Sequence, residues 1–239
     1  MSISVQETFK KNMGRIGIVV ASRFSSTRLP GKALRELGEH SMLGFLLSRL
    51  KSSELVDEII LATSNEDSDD LVEREGKKYG VSVYRGSLDD VVDRYAGAAK
   101  HFSLDILIRV TADCPFLDGK FVDDCLLQIT KSPDTLFTTK PNYPTGLDLE
   151  IFTSEMLFWL NNKNDLPALH REHLTSFFYT DESPWKPTIL SSPFDCHNVE
   201  GVYTVDTIDD YESAVKLVNS FEHMYISTEA IVQKKIIIN

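Results

Sequence analysis

Short apolar runs alternate with helical segments over the first half of the chain, and this alternation restricts the possible folds. The runs are rich in β-branched residues, as expected of strands that are buried on both faces. Short connections between strand and helix favour right-handed β-α-β units and predict an α/β fold, with a mostly parallel twisted sheet and flanking helices. The predicted strands are Ile16–Ala21, Ile59–Thr63, Val81–Tyr84 and Asp105–Val110, with helices over Met42–Lys51, Asp67–Tyr79 and Leu88–Phe102.

The second half of the chain continues with less regular elements. Helices are predicted over Asp118–Lys131, Ser154–Asn161, the segment from Arg171 to Tyr179, and Tyr211–Asn219, strands over Thr135–Thr139 and Val202–Val205, and a closing helix or strand over Ser227–Ile238. The chain has no repeat, low-complexity tract or linker that would divide it. Its 239 residues are enough to bury a full core, so residues 15–239 are predicted to form one domain after a flexible arm, residues 1–14.

Composition excludes several classes of protein. A net charge of −11 argues against a nucleic-acid partner. Cys114, Cys125 and Cys196 are scattered without C-x-x-C spacing, which indicates reduced thiols rather than disulfides or a zinc site. The N-terminus lacks a hydrophobic signal core, and no apolar run approaches the length of a membrane span. We therefore expect a cytoplasmic protein without a membrane partner.

A polar loop follows the first predicted strand and contrasts with the acidic background. It carries three cations and three hydroxyls, which suit a polyphosphate because they bind and neutralise its oxygens. A solvated basic loop is the alternative interpretation. The loop has neither a G-x-G-x-x-G pattern nor P-loop glycine spacing, which argues against a dinucleotide dehydrogenase and a P-loop kinase. The polar residues are Arg23, Ser25, Ser26, Thr27, Arg28 and Lys32.

Asp113 lies just after another predicted strand and before a proline. The carboxyl ends of parallel strands meet at one edge of a sheet, so we expect Asp113 near the polar loop. Mg²⁺ takes one or two carboxylates and completes its octahedron with phosphate oxygens and water. A turn-forming or capping aspartate is the alternative interpretation. Cys114 is interpreted as a small buried neighbour, since no partner base is identifiable.

Earlier in the chain, Ser87 is predicted as an N-cap, with Asp90 three residues later.

Several motifs resemble those of one enzyme family. The phrase A-S-R-F-x-S-T-R-L-P-G-K after the first strand is similar to the opening signature of the CMP-sugar synthetases, the 3-deoxy-octulosonate and acylneuraminate cytidylyltransferases. The most similar branch is that of the SpsF-like spore-coat polysaccharide enzymes. The further matching phrases are V-Y-R-G-S-x-D-D-V-x-x-R-Y, R-x-T-A-D-C-P, Y-P-x-G-L-D-x-E, R-E-H-x-T and V-D-T-x-x-D, which begin at Val83, Arg109, Tyr143, Arg171 and Val205.

The resemblance implies a fold and a reaction. The fold would be of the Rossmann-like nucleotide-diphospho-sugar transferase type, with a small acceptor and dimerisation lobe at about residues 140–190. The reaction would be a Mg²⁺-dependent transfer of CMP from CTP to a small-molecule acceptor, such as a sugar acid, with release of pyrophosphate, in surface polysaccharide synthesis. The enzyme would act as a homodimer. Arg23, Lys32, Asp113 and Asp206 would be catalytic, and the two aspartates would hold the metal.

The resemblance also implies contacts for each substrate. Residues expected on the acceptor side are Tyr143, Asp148, Glu150, Arg171, Glu172 and His173. Those expected to contact the nucleotide are Ala21, Ser22, Arg23, Ser26, Thr27, Arg28, Lys32, Thr63, Arg85, Gly86, Ser87, Asp90, Thr111 and Ala112. Two alternatives stay open: the same chemistry with another nucleotide or a phosphorylated acceptor, and a non-catalytic nucleotide-binding protein. The presence of all four catalytic residues disfavours the second.

Overall fold

A computed structural model of the protein describes residues 9, 12–129, 135–191, 203–221 and 226–238. The strands within these ranges are β1 Ile16–Ala21, β2 Glu36–Leu37, β3 His40–Ser41, β4 Glu58–Ser64, β5 Ser82–Gly86, β6 Ile106–Thr111, β7 Phe137–Thr138, β8 Glu150–Thr153 and β9 Thr188–Ile189. Seven of them form one sheet in the order β5-β4-β1-β6-β8-β7-β9, and β2 and β3 form a separate hairpin.

The sheet is mostly parallel, as the sequence predicts. β1 lies at its centre and pairs in parallel with both β4 and β6, and β5 extends the parallel part at one edge. The antiparallel strand β8 pairs with β6 on one side and β7 on the other. The carboxyl ends of β1, β4 and β6 therefore lie along one edge, and the loops that follow them can build a common site.

Helices cover both faces of the sheet. In β1, Ile18 and Val20 belong to one apolar cluster and Val19 to another, because successive side chains of a strand point to opposite faces. Among the described residues, the helices are α1 Met42–Leu50, α2 Asp70–Lys78, α3 Val91–His101, α4 Gly119–Leu126, α5 Ser154–Asn161, α6 Ala168–Glu172, α7 Ile208–Asn219 and α8 Thr228–Ile238. The first cluster includes residues of α1, α4, α7 and α8, and the second includes residues of α3 and α5.

The structure changes some predicted boundaries. The helix expected from Leu88 begins at Val91, and its N-cap is Asp90, whose carboxylate accepts a hydrogen bond from the Asp93 N–H. The prediction of Ser87 as N-cap is therefore wrong; its hydroxyl accepts from the Asp90 N–H instead. The helix predicted to reach Lys131 already ends at Leu126.

A larger difference concerns the predicted strand at Val202–Val205. Val202 lies outside the described residues, and 203–205 are not in a strand. The Tyr203 N–H donates to the Thr145 carbonyl at 2.7 Å, and the Val205 N–H donates to the Asp113 carbonyl at 2.8 Å. This segment is thus attached to two loops rather than added to the sheet. Its hydrogen bonds nevertheless place the following residue, Asp206, beside Asp113.

Gly146 permits this attachment. Its φ of +92° lies in the region that favours glycine, and a Cβ built there would be 2.4 Å from the Thr204 nitrogen. A side chain at position 146 would therefore push the segment away.

The chain also packs at its two ends. Met13 is buried in the first apolar cluster, although it falls within the predicted arm; the domain boundaries themselves stay a prediction. Towards the other end, the segment predicted as a helix or a strand over Ser227–Ile238 forms α8, the helical alternative.

None of the helices in the described ranges has the length and apolar character needed to cross a bilayer.

Candidate active site

A cleft of about 350 Å³ opens at the carboxyl ends of β1 and β6. The loop after β1 forms one wall, and the loop after β6 forms the base. Glu172 and His173, at the end of α6, reach the cleft from the second half of the chain. The structure thus brings together many of the predicted site residues: Ala21, Ser22, Arg23, Ser26, Thr27, Arg28, Lys32, Thr111, Ala112, Asp113, Glu172, His173 and Asp206.

The loop after β1 is held in place by Asp69. This carboxylate is only 1% exposed and accepts a hydrogen bond of 2.6 Å from the Phe24 N–H. Its other oxygen accepts from the Thr63 hydroxyl and the Ser64 N–H, each at 2.9 Å. Burial alone would raise the pKa of Asp69, but the hydrogen bonds from Phe24, Ser64 and Thr63 outweigh it and hold the pKa below its usual value. Thr63, predicted to contact the nucleotide, therefore supports the loop through Asp69.

Lys32 connects the two predicted metal ligands. Gly31, with a φ of +65°, precedes a single 3-10 turn over Lys32–Leu34, which directs the lysine into the cleft. The Lys32 ammonium lies 3.1 Å from an Asp113 oxygen, 2.9 Å from an Asp206 oxygen and 3.0 Å from the Val205 carbonyl. The second oxygen of Asp206 lies 3.0 Å from the Arg28 guanidinium. Both carboxylates therefore converge on one cation.

Asp113 is ionised in this arrangement. Burial would raise its pKa, but the Lys32 charge and hydrogen bonds from Thr111, Lys32 and Cys114 outweigh burial, so the pKa lies below its usual value. The neighbouring Cys114 thiol is also buried, which raises its pKa and keeps it protonated. This agrees with the interpretation of Cys114 as a structural neighbour rather than a nucleophile.

The donor set at this point fits a hard divalent cation. Ionised carboxylate oxygens from Asp113 and Asp206 already share one ammonium, and Mg²⁺ commonly binds through one or two protein carboxylates together with phosphate oxygens and water. No group of three or more His, Cys, Asp and Glu side chains that could hold a metal occurs within the described ranges. A metal here would thus need the oxygens of a bound phosphate to complete its shell.

Two further arginines face the cleft and were not among the predicted site residues. Arg94, on α3, donates to the Leu88 carbonyl at 3.3 Å and to the Ser87 carbonyl, while its buried Nε finds no partner in the described part of the chain. Burial lowers the pKa of Arg94. The hydroxyl of Ser22, at the same cleft, is likewise buried and unpartnered among these residues. Arg109 lies on β6. Buried polar atoms usually have a hydrogen-bond partner, so water or a bound ligand in the cleft would be needed to satisfy the Arg94 Nε and the Ser22 hydroxyl.

Two features of the sequence could have identified both arginines as site residues. Each lies inside a family phrase, and each interrupts an otherwise apolar face of its helix or strand. Ser25, one of the loop hydroxyls expected to suit a polyphosphate, also lines the cleft, and the other lining residues are Ala33, Met42 and Val91.

Five residues predicted to contact the nucleotide do not line the cleft, and Thr63, which supports the loop through Asp69, is one of them. Arg85 forms ion pairs with Asp70 at 2.5 Å and Glu73 at 2.8 Å, on the outer side of β5. Gly86 lies behind Arg94, where a Cβ would be 3.0 Å from the arginine side chain. Ser87 and Asp90 shape the start of α3, as described above. Their contacts are with the protein itself.

Four residues predicted on the acceptor side also lie outside the cleft. Tyr143 is buried and donates to the Ser191 carbonyl at 2.9 Å. Asp148 pairs with Lys140 at 2.9 Å. Glu150 is buried under Arg109. Arg171 donates to the carbonyls of Asn161 and Lys163, at 3.1 and 3.0 Å, and is thereby directed away from the cleft.

The comparisons with known proteins identify the class of enzyme. The chain is a nucleotidyltransferase: a model of the cytidylyltransferase family matches residues 16–238, and the chain is 30% identical over 205 residues to the spore coat polysaccharide biosynthesis protein SpsF of Bacillus subtilis. That match covers 84% of this chain and 85% of the relative. The protein therefore belongs to the cytidylyltransferase family, which confirms the resemblance inferred from the motifs.

Solved structures agree with this assignment. A cytidylyltransferase from Leptospira borgpetersenii superimposes with a TM-score of 0.81 at 32% identity, covering 92% of this chain and 93% of that one. The CMP:2-keto-3-deoxy-manno-octonic acid synthetase in complex with CTP gives a TM-score of 0.63 at 16% identity, covering 87% and 99% of the two chains, and shows the same fold. A shorter match, 28% identical over 120 residues, links the chain to the 3-deoxy-manno-octulosonate cytidylyltransferase of Geobacter sulfurreducens, of which it covers 46%.

Proposed function

We propose that the protein transfers CMP from CTP to a sugar acid or a related small acceptor and releases pyrophosphate, with Mg²⁺ as cofactor. The observation that carries this proposal is the contact of Lys32 with both Asp113 and Asp206 in a cleft that Arg23 and Arg28 also line. The names of the relatives support CTP as donor and a sugar acid as acceptor. A role in surface polysaccharide synthesis is supported by the similarity to SpsF.

The loop after β1 would bind the triphosphate. Arg23 and Arg28 each extend into the cleft from a loop that Asp69 fixes, so their charges are placed before the nucleotide arrives. Their present ion pairs are with exposed or half-buried carboxylates, at 3.4 Å to Glu172 and 3.0 Å to Asp206. Such pairs are weak in water, and phosphate oxygens can replace the carboxylates at little cost. The hydroxyls of Ser26 and Thr27 would add further contacts.

Asp113 and Asp206 would hold the Mg²⁺. When bound there, the ion would supply positive charge that neutralises the charge developing on the phosphate oxygens. Lys32 would then exchange its carboxylate partners for an oxygen of the leaving pyrophosphate. This exchange needs only a rotation of a flexible side chain, because Lys32 already lies between the loop and the two aspartates.

The chemistry requires positioning more than acid or base groups. An acceptor oxygen attacks the α-phosphorus of CTP in line, forming a new P–O bond while the bond to the bridging oxygen of pyrophosphate breaks. Negative charge increases on the leaving pyrophosphate, and Lys32 and Arg23 would stabilise that charge. The cleft holds both substrates close together, so the reaction becomes effectively unimolecular.

A direct test is nucleotide binding together with pyrophosphate release. We expect CTP to bind more tightly than ATP, GTP or UTP in calorimetry with Mg²⁺, and pyrophosphate to appear only when an acceptor is added. Equal affinities, or preference for a purine, would favour the alternative with another nucleotide. CTP binding without pyrophosphate release across a panel of sugar acids and sugar phosphates would favour the non-catalytic alternative.

We also propose that the protein is a cytoplasmic homodimer that uses the lobe at residues 140–190. Exposed apolar side chains of this region, Trp159, Leu169 and Ile189, support such an interface. Light scattering would give the mass in solution. Trp159→Glu should shift a dimer to a monomer, whereas a wild-type mass near 27.0 kDa would contradict the proposal.

A further inference from the structure

Arg109 and Glu150 form a cross-strand pair beneath the cleft. They lie directly opposite each other in the antiparallel register of β6 and β8, and an Arg109 Nη1 donates to a Glu150 oxygen at 2.9 Å. The Glu150 side chain is 1% exposed, and the Arg109 side chain is 25% exposed, at the cleft. Burying an ion pair costs desolvation free energy, whereas apolar side chains at the same two positions would not have this cost. The pair is therefore a candidate for a functional role.

Three protein groups donate hydrogen bonds to the Glu150 carboxylate. The Thr175 hydroxyl donates to the oxygen that Arg109 contacts, at 2.7 Å, and the Tyr179 hydroxyl donates to the other oxygen at 2.8 Å. The Lys140 ammonium is 3.9 Å from that second oxygen. The carboxylate is therefore buried behind protein groups and out of reach of a substrate in the cleft, and its position is determined by three separate segments of the chain.

Arg109, in contrast, keeps hydrogen-bonding capacity. Only its Nη1 donates to a protein group in the described residues, which leaves Nε and Nη2. These two nitrogens lie on one edge of the planar guanidinium, and such an edge binds two oxygens of a carboxylate or phosphate in parallel. Burial would lower the pKa of Arg109, but the nearby Glu150 carboxylate outweighs it and raises the pKa, so the guanidinium stays charged.

The location of Arg109 separates it from the proposed triphosphate contacts. Arg23, Arg28 and Lys32 all come from the loop after β1. Arg109 lies on β6, and its partner Glu150 accepts hydrogen bonds from Thr175 and Tyr179. These two residues follow the cleft residue His173 in the sequence. An anion bound by Arg109 would therefore lie on the side of the cleft that Glu172 and His173 line.

We propose that Arg109 binds the acid group of the acceptor, a carboxylate or a phosphate, and that Glu150 is the positioning residue that orients its guanidinium. This inference rests on the proposed function, since it concerns the second substrate of the same site. It assigns to Arg109 the acceptor contact that the family resemblance implies for Glu150. The lobe at residues 140–190 would then act on the acceptor through the arginine rather than by direct contact.

Calorimetry on the full chain can test the assignment with three probes. CTP reports on the nucleotide site; 3-deoxy-manno-octulosonate and a sugar phosphate, each added with saturating CMP, report on a carboxylate and a phosphate acceptor. We expect Arg109→Gln to weaken binding of one acid probe by about 10- to 100-fold, the usual effect of losing a charged hydrogen-bonded pair, and to leave the CTP affinity within about twofold. Arg109→Lys keeps the charge but not the planar fork, so its affinity should be intermediate.

Glu150→Gln tests the positioning role, because it preserves shape and removes the charge partner of Arg109. It should weaken the same acid probe while CTP affinity changes little, a pattern that general loss of structure would not produce. The unfolding midpoint should fall, because the Arg109 charge loses its buried partner. Arg15→Gln is a matched control, since it breaks another arginine–glutamate pair, 2.6 Å to Glu58, at the opposite end of the sheet.

The outcomes separate this inference from the proposed function. Wild-type protein that fails to bind CTP would contradict the proposed function itself. Protein that binds CTP but neither acid probe, or whose acid binding is unchanged in Arg109→Gln, would overturn the role of Arg109 alone. A selective loss of CTP binding in Arg109→Gln would assign the arginine to the nucleotide instead, and would equally overturn the inference.

Discussion

Lys32 donates a hydrogen bond of 2.9 Å to Asp206, a residue 174 positions later in the chain. The same ammonium lies 3.1 Å from Asp113. The lysine thus occupies the point at which the two carboxylates converge, where the family resemblance places a metal. In the absence of substrate it neutralises charges that would otherwise repel each other.

Replacing Lys32 should therefore have opposite effects on catalysis and on metal binding. Lys32→Ala removes a charge that stabilises the leaving pyrophosphate, and we expect kcat to fall by about a hundredfold. Without nucleotide, however, the variant should bind Mn²⁺ more tightly than wild type, because no ammonium competes for the carboxylates. Electron paramagnetic resonance would count free Mn²⁺. Lys77→Ala, which removes an exposed lysine from α2, is the control. Unchanged kcat and unchanged Mn²⁺ affinity would return Lys32 to the interpretation as part of a solvated loop.

Asp113 and Asp206 should behave as one unit. Asp113→Asn and Asp206→Asn keep the shape of the side chains and remove one charge each, so both variants should fold while activity falls strongly. Since both carboxylates would serve one cation, the double variant should be scarcely less active than either single variant. Pyrophosphate release at several Mg²⁺ concentrations would measure this. Independent, multiplicative losses would contradict a shared site, as would full activity in the presence of a chelator.

Asp69 should determine part of the acid stability of the protein. Its folded-state pKa is depressed, so the stabilisation is present above the unfolded value of about 3.9 and is lost as pH falls through the folded pKa. Asp69→Asn should cost about 1–3 kcal/mol at pH 7 and should make stability less dependent on pH in the acid range.

Urea unfolding at pH 7 and at pH 3 would measure both effects of the Asp69 change. The exposed Asp67, two residues earlier, provides the control Asp67→Asn. Asparagine has only one acceptor oxygen, so either the Phe24 N–H or the Thr63 and Ser64 donors lose their acceptor, and Asp69→Asn should also weaken CTP binding. A variant as stable as wild type at neutral pH would show that Asp69 does not anchor the loop.

Gly146→Ala should reduce activity through the position of Asp206. The new Cβ would meet the Thr204 nitrogen and the Tyr203 carbonyl carbon, each at 2.4 Å, and displace the segment that carries Asp206. Gly80→Ala is a matched control, because Gly80 also has a positive φ, +64°, but its Cβ would meet nothing nearer than 3.7 Å. Both variants should lose some stability from backbone strain, by about 1 kcal/mol or more. Only Gly146→Ala should lose kcat, and equal activity of the two would refute the steric argument.

The sequence predicts the parallel half of the sheet well, for a physical reason. Strands buried on both faces need continuous apolar runs, and Ile16–Ala21 and Ile59–Thr63 have them. The antiparallel strand β8 was harder to recognise, because it is short and begins with the charged Glu150. The family resemblance implied a joint metal site for Asp113 and Asp206 but not their contact with Lys32, and the strand predicted before Asp206 is wrong. The run Val202–Val205 has the composition of a strand, whereas the bonding partners of 203 and 205 are loop carbonyls that no local pattern reveals.

Residue types alone did not show which charged side chains are paired or buried within the protein. Asp148 and Glu150 alternate, as two carboxylates directed to one side should, but Lys140 and Arg109 neutralise them within the protein. Arg109 itself is a single charge in an apolar strand, and that irregularity was the available signal. Asp69 resembles its acidic neighbours Asp67 and Asp70 in sequence, and only the fold distinguishes it.

The pairing of Lys32 with Asp206 also affects when a newly made chain can work. The ribosome adds residues in order, so the loop after β1 and the aspartate after β6 exist long before residue 206 emerges. Until then Lys32 has only one of its two acidic partners, and the cleft lacks Asp206. A shortened chain that ends before the Tyr203–Asp206 segment should therefore be inactive even where its sheet is formed, which makes catalytic competence a late event in synthesis.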